Sequence, residues 1–249
     1  MRFQDYKVVI TGATSGIGLA TVKQFIAEGA TVIGMGRNFD QTKDLGDKFI
    51  PFKCNVRNPE EIDNACAFIE ETFGGSIDVF VNNAGLGSTT PLTAMTHEAF
   101  MENVSLNLEA PILFVSKLYP LLLKSDKGDP NVVITASLAS RTYSEPVLYC
   151  VTKAAVVQFA KIACNILRGI RINTVSPGVI KTPIFGREGT MMPSEAVDAM
   201  YAGSAQINPV GRVGEPEEVA ELICFLASNE SPYMNGSDVI IDGGSSTVL

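Results

Sequence analysis

The chain has 249 residues, of which 46% are hydrophobic and 18% charged, and its formal net charge is −8. This composition is typical of a globular protein with a sizeable core. The acidic balance, with no run of five like charges, excludes the concentrated basic face that a nucleic-acid partner requires.

Short apolar runs rich in Val and Ile alternate with amphipathic segments along the whole chain. The runs are nearly continuous in apolar residues, which favours strands buried on both faces. Strands are predicted at 7–11, 31–35, 50–54, 77–81, 132–136, 171–175 and 238–241, and helices at 17–27, 59–73, 97–123, 147–167 and 216–227. The alternation predicts an α/β fold with a doubly wound parallel sheet of about seven strands and helices on both faces.

One domain covering 1–249 is expected, because no linker, repeat or shift of composition interrupts the pattern. Segment 184–209 is the least patterned and contains Phe185, Met191, Met192, Met200 and Tyr201. An irregular Met-rich segment after the carboxyl end of a strand is a candidate substrate lid, with an ordinary surface excursion as the alternative.

The amino terminus and the cysteines indicate a cytoplasmic protein. The chain enters a strand pattern almost at once, and no window approaches the roughly 18 to 20 apolar residues that span a bilayer, so neither a signal peptide nor a membrane segment is expected. The five cysteines are scattered without a CxxC pair, which indicates reduced thiols and no metal site.

The stretch TGATSGIG follows the first predicted strand and opens the first predicted helix. Gly12 permits a sharp turn, Gly16 lets the backbone approach a pyrophosphate, and Gly18 allows close packing of helix and sheet. The spacing differs from the commoner G-x-G-x-x-G, so the stretch taken alone is also consistent with a structural turn.

The end of the second predicted strand bears on the choice of cofactor. Sites that prefer NAD usually have an acidic residue there, whereas this chain has Gly36 followed by Arg37. A guanidinium pairs with a 2′-phosphate and stacks on adenine, so NADP(H) is favoured, with NAD(H) as the alternative.

Tyr149 and Lys153 are spaced i, i+4 on a predicted helix and therefore share one face. An adjacent ammonium favours the phenolate, so Lys153 is expected to lower the pKa of Tyr149 from its ordinary value of about 10 toward the working range of a general acid or base. Ser137 ends a predicted strand, where its hydroxyl is positioned to bind a substrate carbonyl. A lone Tyr-x3-Lys pair is common by chance.

Taken together, these motifs resemble the classical short-chain dehydrogenase/reductase family, and the resemblance covers essentially the whole chain. The matching elements occur in family order: TGATSGIG at 11–18, NNAG at 82–85, Asn107 within SLNLEAP, Ser137, YCVTK at 149–153, SPGVIKTP at 176–183 and IDGG at 241–244.

The resemblance implies the catalytic roles. Tyr149 is expected to be the acid/base, Lys153 to lower its pKa and hold the nicotinamide ribose, and Ser137 to orient and polarise the carbonyl. Asn107 is expected to hold a water that links Lys153 to a proton relay.

The resemblance also implies the cofactor contacts. Asn83 is expected beside the adenosine, and 177–182 at the nicotinamide end. The full predicted set is Gly12, Thr14, Ser15, Gly16, Ile17, Gly18, Arg37, Asn38, Asn55, Val56, Asn83, Ala84, Gly85, Tyr149, Lys153, Pro177, Gly178, Ile180 and Thr182.

Two departures from the family pattern concern the pocket. Asn55 stands where the family commonly has aspartate, although its amide oxygen still accepts a hydrogen bond. Ser137 and Tyr149 are 12 positions apart, slightly fewer than usual, which puts the wall of the substrate pocket in question. Tyr143 lies in this shortened loop and is expected to be a pocket or surface residue only.

The resulting prediction is an NADP(H)-dependent oxidoreductase that interconverts a ketone and a secondary alcohol. Its partner is a small carbonyl or alcohol substrate, and a homotetramer or homodimer is expected, because members of the family often form tetramers. The alternatives are an NAD-preferring alcohol or hydroxysteroid-type dehydrogenase and, more remotely, a non-catalytic nucleotide-sensing protein.

Overall fold

The computed structural model describes residues 1–142, 146–186 and 190–248. Seven strands are present: β1 (Lys7–Thr11), β2 (Thr31–Gly36), β3 (Phe49–Lys53), β4 (Val79–Asn82), β5 (Asn131–Thr135), β6 (Arg171–Pro177) and β7 (Asp238–Ile241). They form one parallel sheet in the order β3-β2-β1-β4-β5-β6-β7, which confirms the predicted fold class.

The described helices are α1 (Gly16–Ala27), α2 (Pro59–Phe73), α3 (His97–Val104), α4 (Ala110–Leu122), α5 (Val147–Ile166), α6 (Ser194–Ile207) and α7 (Pro216–Ala227). Phe25 of α1 and Ile223 of α7 belong to the core on one face of the sheet. Ile69 of α2, Phe114 of α4 and Val156 of α5 belong to the core on the other face. The sheet is therefore covered on both sides, as a parallel sheet requires.

The predicted helix over 97–123 is interrupted. It divides into α3 and α4 around a π-helical turn over Ser105–Glu109. Pro111 has no N–H and cannot donate to the carbonyl of Asn107 four residues earlier, which favours an interruption at this point, although α4 continues through Pro120. Pro111 was visible in the sequence and is the feature that indicates the interruption.

The candidate lid segment is more regular than predicted, because α6 occupies much of it. Val197, Met200, Tyr201 and Ser204 recur at helical spacing, and all four are partly buried. This i, i+3, i+4, i+7 pattern was present in the sequence but was obscured by the neighbouring polar residues.

One helix, α5, is long and apolar enough to cross a membrane by length and composition, contrary to the expectation that no stretch qualifies. In the fold it packs against the sheet, with Leu148, Val156 and Ala160 buried. Packing within the domain accounts for this buried part of its apolar surface, while Val151, Ile162 and Ile166 remain exposed.

Candidate active site

A cavity of about 1160 Å³ opens at the carboxyl ends of the strands. It lies where the order of the strands reverses between β1 and β4, the usual ligand site of such sheets. Most of the predicted contacts line it: Gly12, Thr14, Ser15, Gly16, Ile17, Arg37, Asn55, Val56, Asn83, Ala84, Gly85, Ser137, Tyr149, Lys153, Pro177, Gly178, Ile180 and Thr182. Gly18, Asn38 and Asn107 are not part of this lining.

The glycine-rich loop has the geometry of an anion cradle. Gly12 and Gly16 have φ values of +65° and +52°, and a Cβ on Gly12 would lie 2.9 Å from the Cα of Ala84. Gly18 packs against the carbonyl of Gly12 and closes the loop against α1. The side chain of Ser15, the N-cap of α1, makes no capping hydrogen bond to a described residue, so the helix N-terminus is available to a phosphate group.

Asn83 ties together the ends of three strands. Its Nδ2 donates to the carbonyls of Thr11 and Gly12, both at 3.3 Å, and its Oδ1 accepts from Thr135 Oγ1 at 3.3 Å. Thr11 Oγ1 accepts the backbone N–H groups of Asn83 and Ala84, each at 3.0 Å. Thr11 was not singled out from the sequence, although a threonine closing a buried strand next to a glycine turn is a usable indication.

The end of the cavity next to β2, where the adenosine is predicted to bind, carries two arginines. Arg37 is exposed on the cavity wall after β2, while the side chain of Asn38 accepts from Asp40 N at 2.8 Å and lies outside the lining. Arg57, which sequence reasoning missed, also lines this end and pairs with Glu102 at 2.6 Å. Guanidinium groups pair with anions, and that of Arg57 already pairs with the carboxylate of Glu102.

Three predicted catalytic side chains converge at the middle of the cavity. Ser137 follows β5, and its hydroxyl is hydrogen-bonded to Tyr149 on α5. Lys153, one turn further along α5, is buried and donates to the carbonyl of Thr135 at 2.7 Å. Its Nζ lies 5.7 Å from the centroid of the Tyr149 ring. A phenol, a hydroxyl and an ammonium group therefore face one space.

The pKa of Tyr149 differs from the prediction, and the pKa of Lys153 is shifted as well. Burial raises the pKa of Tyr149, and the hydrogen bond with Ser137 offsets only part of that rise. Burial also lowers the pKa of Lys153 to about 8. The predicted net lowering of the Tyr149 pKa is wrong for this structure, because removal of the phenol from water outweighs the contacts that favour its ionised form.

Asn107 lies behind the cavity wall, in the π-helical turn. Its Oδ1 accepts from Leu86 N at 2.9 Å, and its Nδ2 donates to Leu86 O at 3.0 Å. A Cβ on Gly85 would lie 3.4 Å from Lys153 Nζ and 3.5 Å from Asn107 Oδ1. The side chain of Asn107 therefore fixes the backbone that passes Lys153, and it does not face the ligand space.

The substrate side of the cavity is mostly apolar. Of the lid residues, Phe185, Met192 and Met200 line it, whereas Met191 is 77% exposed and does not. A Cβ on Gly87 would lie 2.6 Å from Thr190 Cγ2, so the lid segment rests on the loop after β4. Tyr143 and residues 187–189 lie outside the described residues.

One charged pair on this side was not predicted. Arg141 lines the cavity and donates from Nε and from its terminal nitrogen to Asp238 at 3.1 and 2.6 Å. Asp238 also accepts from Thr174 and Ser176, each at 2.7 Å. This pair ties the loop after Ser137 to β7, a contact between residues 97 positions apart.

Known proteins similar to the chain are oxidoreductases. A family model described as "Enoyl-(Acyl carrier protein) reductase" matches residues 12–246. The chain is 34% identical to 3-oxoacyl-[acyl-carrier-protein] reductase FabG of Thermotoga maritima, over 98% of this chain and 99% of that protein. It is 30% identical to cyclohexanol dehydrogenase of Acinetobacter sp., over 97% and 95%. A short-chain dehydrogenase/reductase of unknown function from Caenorhabditis elegans, solved with cofactor, superposes with a TM-score of 0.91 at 30% identity, over 100% and 98%.

Proposed function

The chain belongs to the classical short-chain dehydrogenase/reductase family and is an oxidoreductase that interconverts alcohols and carbonyl compounds with NAD(P); from this premise we propose that it is an NADP(H)-dependent enzyme that interconverts a ketone and a secondary alcohol. The observation that carries the proposal is the convergence of Tyr149, Ser137 and Lys153 on one cavity, with the Tyr149 phenol hydrogen-bonded to Ser137. When bound, the nicotinamide supplies or accepts the hydride.

The proposed mechanism assigns each side chain one task. Ser137 donates a hydrogen bond to the substrate oxygen and stabilises the charge that develops there. Tyr149 gives its proton to that oxygen when the ketone is reduced, and its raised pKa keeps the phenol protonated for this step. The Lys153 ammonium then stabilises the phenolate that remains, since an opposite charge nearby favours the ionised form.

Asn107 supports Lys153 from behind the wall. Its side chain is hydrogen-bonded to the backbone of Leu86. The backbone carbonyl of Asn107 lacks its α-helical donor, because Pro111 has no N–H. We therefore assign the water of the implied relay to this carbonyl.

The test of the mechanism is Tyr149→Phe. This change removes the only hydroxyl that the mechanism uses as a proton donor, so turnover is expected to fall by at least about 10²-fold. Cofactor affinity, measured by fluorescence titration, should remain within a few fold of the wild-type value. Tyr233→Phe, at a fully exposed tyrosine, is the matched control and should keep full activity. Full activity of Tyr149→Phe would overturn the mechanism.

The cofactor preference is proposed from Arg37. A guanidinium on the adenosine wall pairs with a 2′-phosphate, whereas a carboxylate repels it. The ratio of kcat/KM for NADPH to kcat/KM for NADH is therefore expected to exceed one and to invert in Arg37→Asp. Arg168→Asp, which reverses an exposed charge at the other end of the sheet, controls for net charge. A ratio below one for the wild type would establish the NAD-preferring alternative.

The substrate is proposed to be an apolar ketone or secondary alcohol. Leu138, Ile184, Phe185, Met192 and Met200 line the substrate side, and their side chains favour hydrocarbon surface. A panel of alicyclic, steroidal and acyl ketones with the matching alcohols, followed by nicotinamide absorbance, tests this. Turnover restricted to polar sugars would contradict it, and no turnover at all would favour a nucleotide-sensing protein.

We also propose a homodimer or homotetramer in the cytoplasm. Ile112 of α4 and Val151, Ile162 and Ile166 of α5 expose apolar side chains, which indicates a surface that another copy covers. Light scattering of the wild type and of Ile162→Glu measures the oligomeric state. A monomeric wild type would contradict the proposal. The five cysteines, all within the described residues, form no disulfide, which is consistent with a reducing compartment.

A further inference from the structure

Tyr201 of the lid helix α6 is hydrogen-bonded to the backbone of a predicted nicotinamide contact. Its hydroxyl accepts the N–H of Thr182 at 3.1 Å and donates to the carbonyl of the same residue at 3.0 Å. Burial raises the pKa of Tyr201, so the hydroxyl stays protonated and keeps both roles at neutral pH. One side chain of the lid thus binds both backbone polar groups of one residue, and these groups belong to two successive peptide units.

Thr182 needs such a partner because of its place in the chain. It lies beyond the end of β6, and the short bridge that continues this strand pairs Ile180 with Gly214. Its backbone groups are therefore outside the sheet, and the Tyr201 hydroxyl takes the place of a neighbouring strand.

The other side of Thr182 faces the glycine-rich loop. A Cβ on Gly16 would lie 3.2 Å from both Cβ and Cγ2 of Thr182. Thr182 is thus in contact with the pyrophosphate cradle on one side and with α6 on the other. Any ligand that occupies this part of the cavity must touch or displace Thr182.

Tyr201 also reaches the substrate wall. Its ring meets that of Phe185 edge to face, with centroids 6.1 Å apart, and Met200 next to it in α6 lines the cavity. The same helical turn therefore contributes to the substrate wall and holds the segment at the nicotinamide end.

We propose that Tyr201 is a positioning residue that couples the two halves of the cavity: it fixes Thr182 for the nicotinamide end of the cofactor, and a bound nicotinamide in turn holds α6 over the substrate site. This rests on the proposed function only in that the ligand is a nicotinamide dinucleotide. Because of this coupling, the wall of the substrate site is fully formed only when the cofactor is bound.

The test compares two ligands on Tyr201→Phe. NADP⁺ carries the nicotinamide, whereas 2′-phospho-ADP-ribose lacks it, and NAD⁺ with ADP-ribose forms the same comparison without the 2′-phosphate. Loss of the hydroxyl is expected to weaken the binding of the intact dinucleotides about fivefold to tenfold in calorimetric titration, which corresponds to the loss of one to two hydrogen bonds. The affinity for the two fragments should be unchanged. Tyr233→Phe is the control and should bind all four ligands as the wild type does.

Limited trypsin digestion provides a second measurement. Lys181 and Arg212 flank α6 and are exposed. NADP⁺ is expected to slow cleavage at these sites in the wild type, and this protection should be lost in Tyr201→Phe and absent with 2′-phospho-ADP-ribose in both proteins.

Each outcome decides the inference. If the binding of dinucleotides and of fragments weakens equally, Tyr201 is a general stabilising residue. If neither weakens, Tyr201 has no role in binding. Both results overturn the inference and leave the proposed function intact. A wild-type protein that binds neither NADP⁺ nor NAD⁺ would overturn the proposed function as well.

Discussion

Two buried cations lie at opposite ends of the central sheet and differ in how completely they are paired. Arg171 begins β6 at the amino ends of the strands and is 6% exposed, whereas Lys153 lies at the carboxyl ends and is 4% exposed. Arg171 donates to both oxygens of Asp129, to the carbonyls of Leu226, Ser228 and Met234, and to Ser231 Oγ. Within the described residues, Lys153 donates one hydrogen bond, to Thr135 O.

The difference separates a fully hydrogen-bonded cation from one that is incompletely hydrogen-bonded within the described residues. A buried charge is tolerated when its donors are all satisfied, and Arg171 meets that condition by joining the start of β6 to the loop before β5, to the end of α7 and to the loop after α7. Lys153 keeps two N–H groups for a ligand on the cavity wall, and its pKa falls to about 8 because burial is not offset by a counter-charge. Incomplete pairing of Lys153 is therefore the property on which the proposed mechanism relies.

The largest effect is expected from Arg171→Met. The change leaves Asp129 without its partner and takes one donor from each of the carbonyls of Leu226, Ser228 and Met234, so the free energy of unfolding should fall by about 3–5 kcal/mol. Urea denaturation measures this. Arg168→Met, at an exposed arginine three residues earlier, should stay within about 0.5 kcal/mol of wild type. Equal stability of the two variants would show that the buried network contributes nothing.

The second effect is expected from Lys153→Met, which should separate activity from stability. Turnover should fall by about 10²-fold or more, because the phenolate of Tyr149 loses its cation. Stability at pH 7 should be unchanged or higher, because burial disfavours the charged ammonium. Lys161→Met, at an exposed lysine on the same helix, should change neither quantity. A strong loss of stability in Lys153→Met would place Lys153 in the same class as Arg171.

The smallest effect is a pH dependence. The pKa of Lys153 lies at about 8 instead of its ordinary 10.5, so the ammonium is complete below pH 7 and is lost as the pH rises through 8. The kcat/KM of ketone reduction, which reports the free enzyme, should therefore be constant between pH 6 and 7 and fall up to about tenfold per pH unit above 8. The residual rate of Lys153→Met should lack this break, and a wild-type profile that stays flat to pH 10 would contradict the lowered pKa.

The fold was predictable to a large extent because its determinants are local. The bounds of α2 and α7 match the prediction, since Pro59 and Pro216 mark their first turns and apolar spacing marks their lengths. The errors arose where local patterns conflict. The prediction of one continuous helix over 97–123 overlooked Pro111. The helical pattern of α6 was weak because this helix has no fully buried residue.

The candidate site was predictable in its residue types and less so in its contacts. Glycine spacing and the Tyr149–Lys153 pair are short-range features, and the cavity includes nearly all of the predicted residues. Arg141 with Asp238 and Tyr201 with Thr182 are contacts between separate elements, so no local pattern indicated them.

By itself, the sequence determined the order of strands and helices, the position of the glycine cradle and the side chains available for chemistry, because hydrophobic periodicity and turn residues act over a few positions. Only the tertiary structure decided the protonation of Tyr149 and Lys153, the commitment of Asn107 to Leu86 and the link from Tyr201 to Thr182. These properties depend on removal from water and on neighbours that are distant in the chain, and both arise only when the elements pack together.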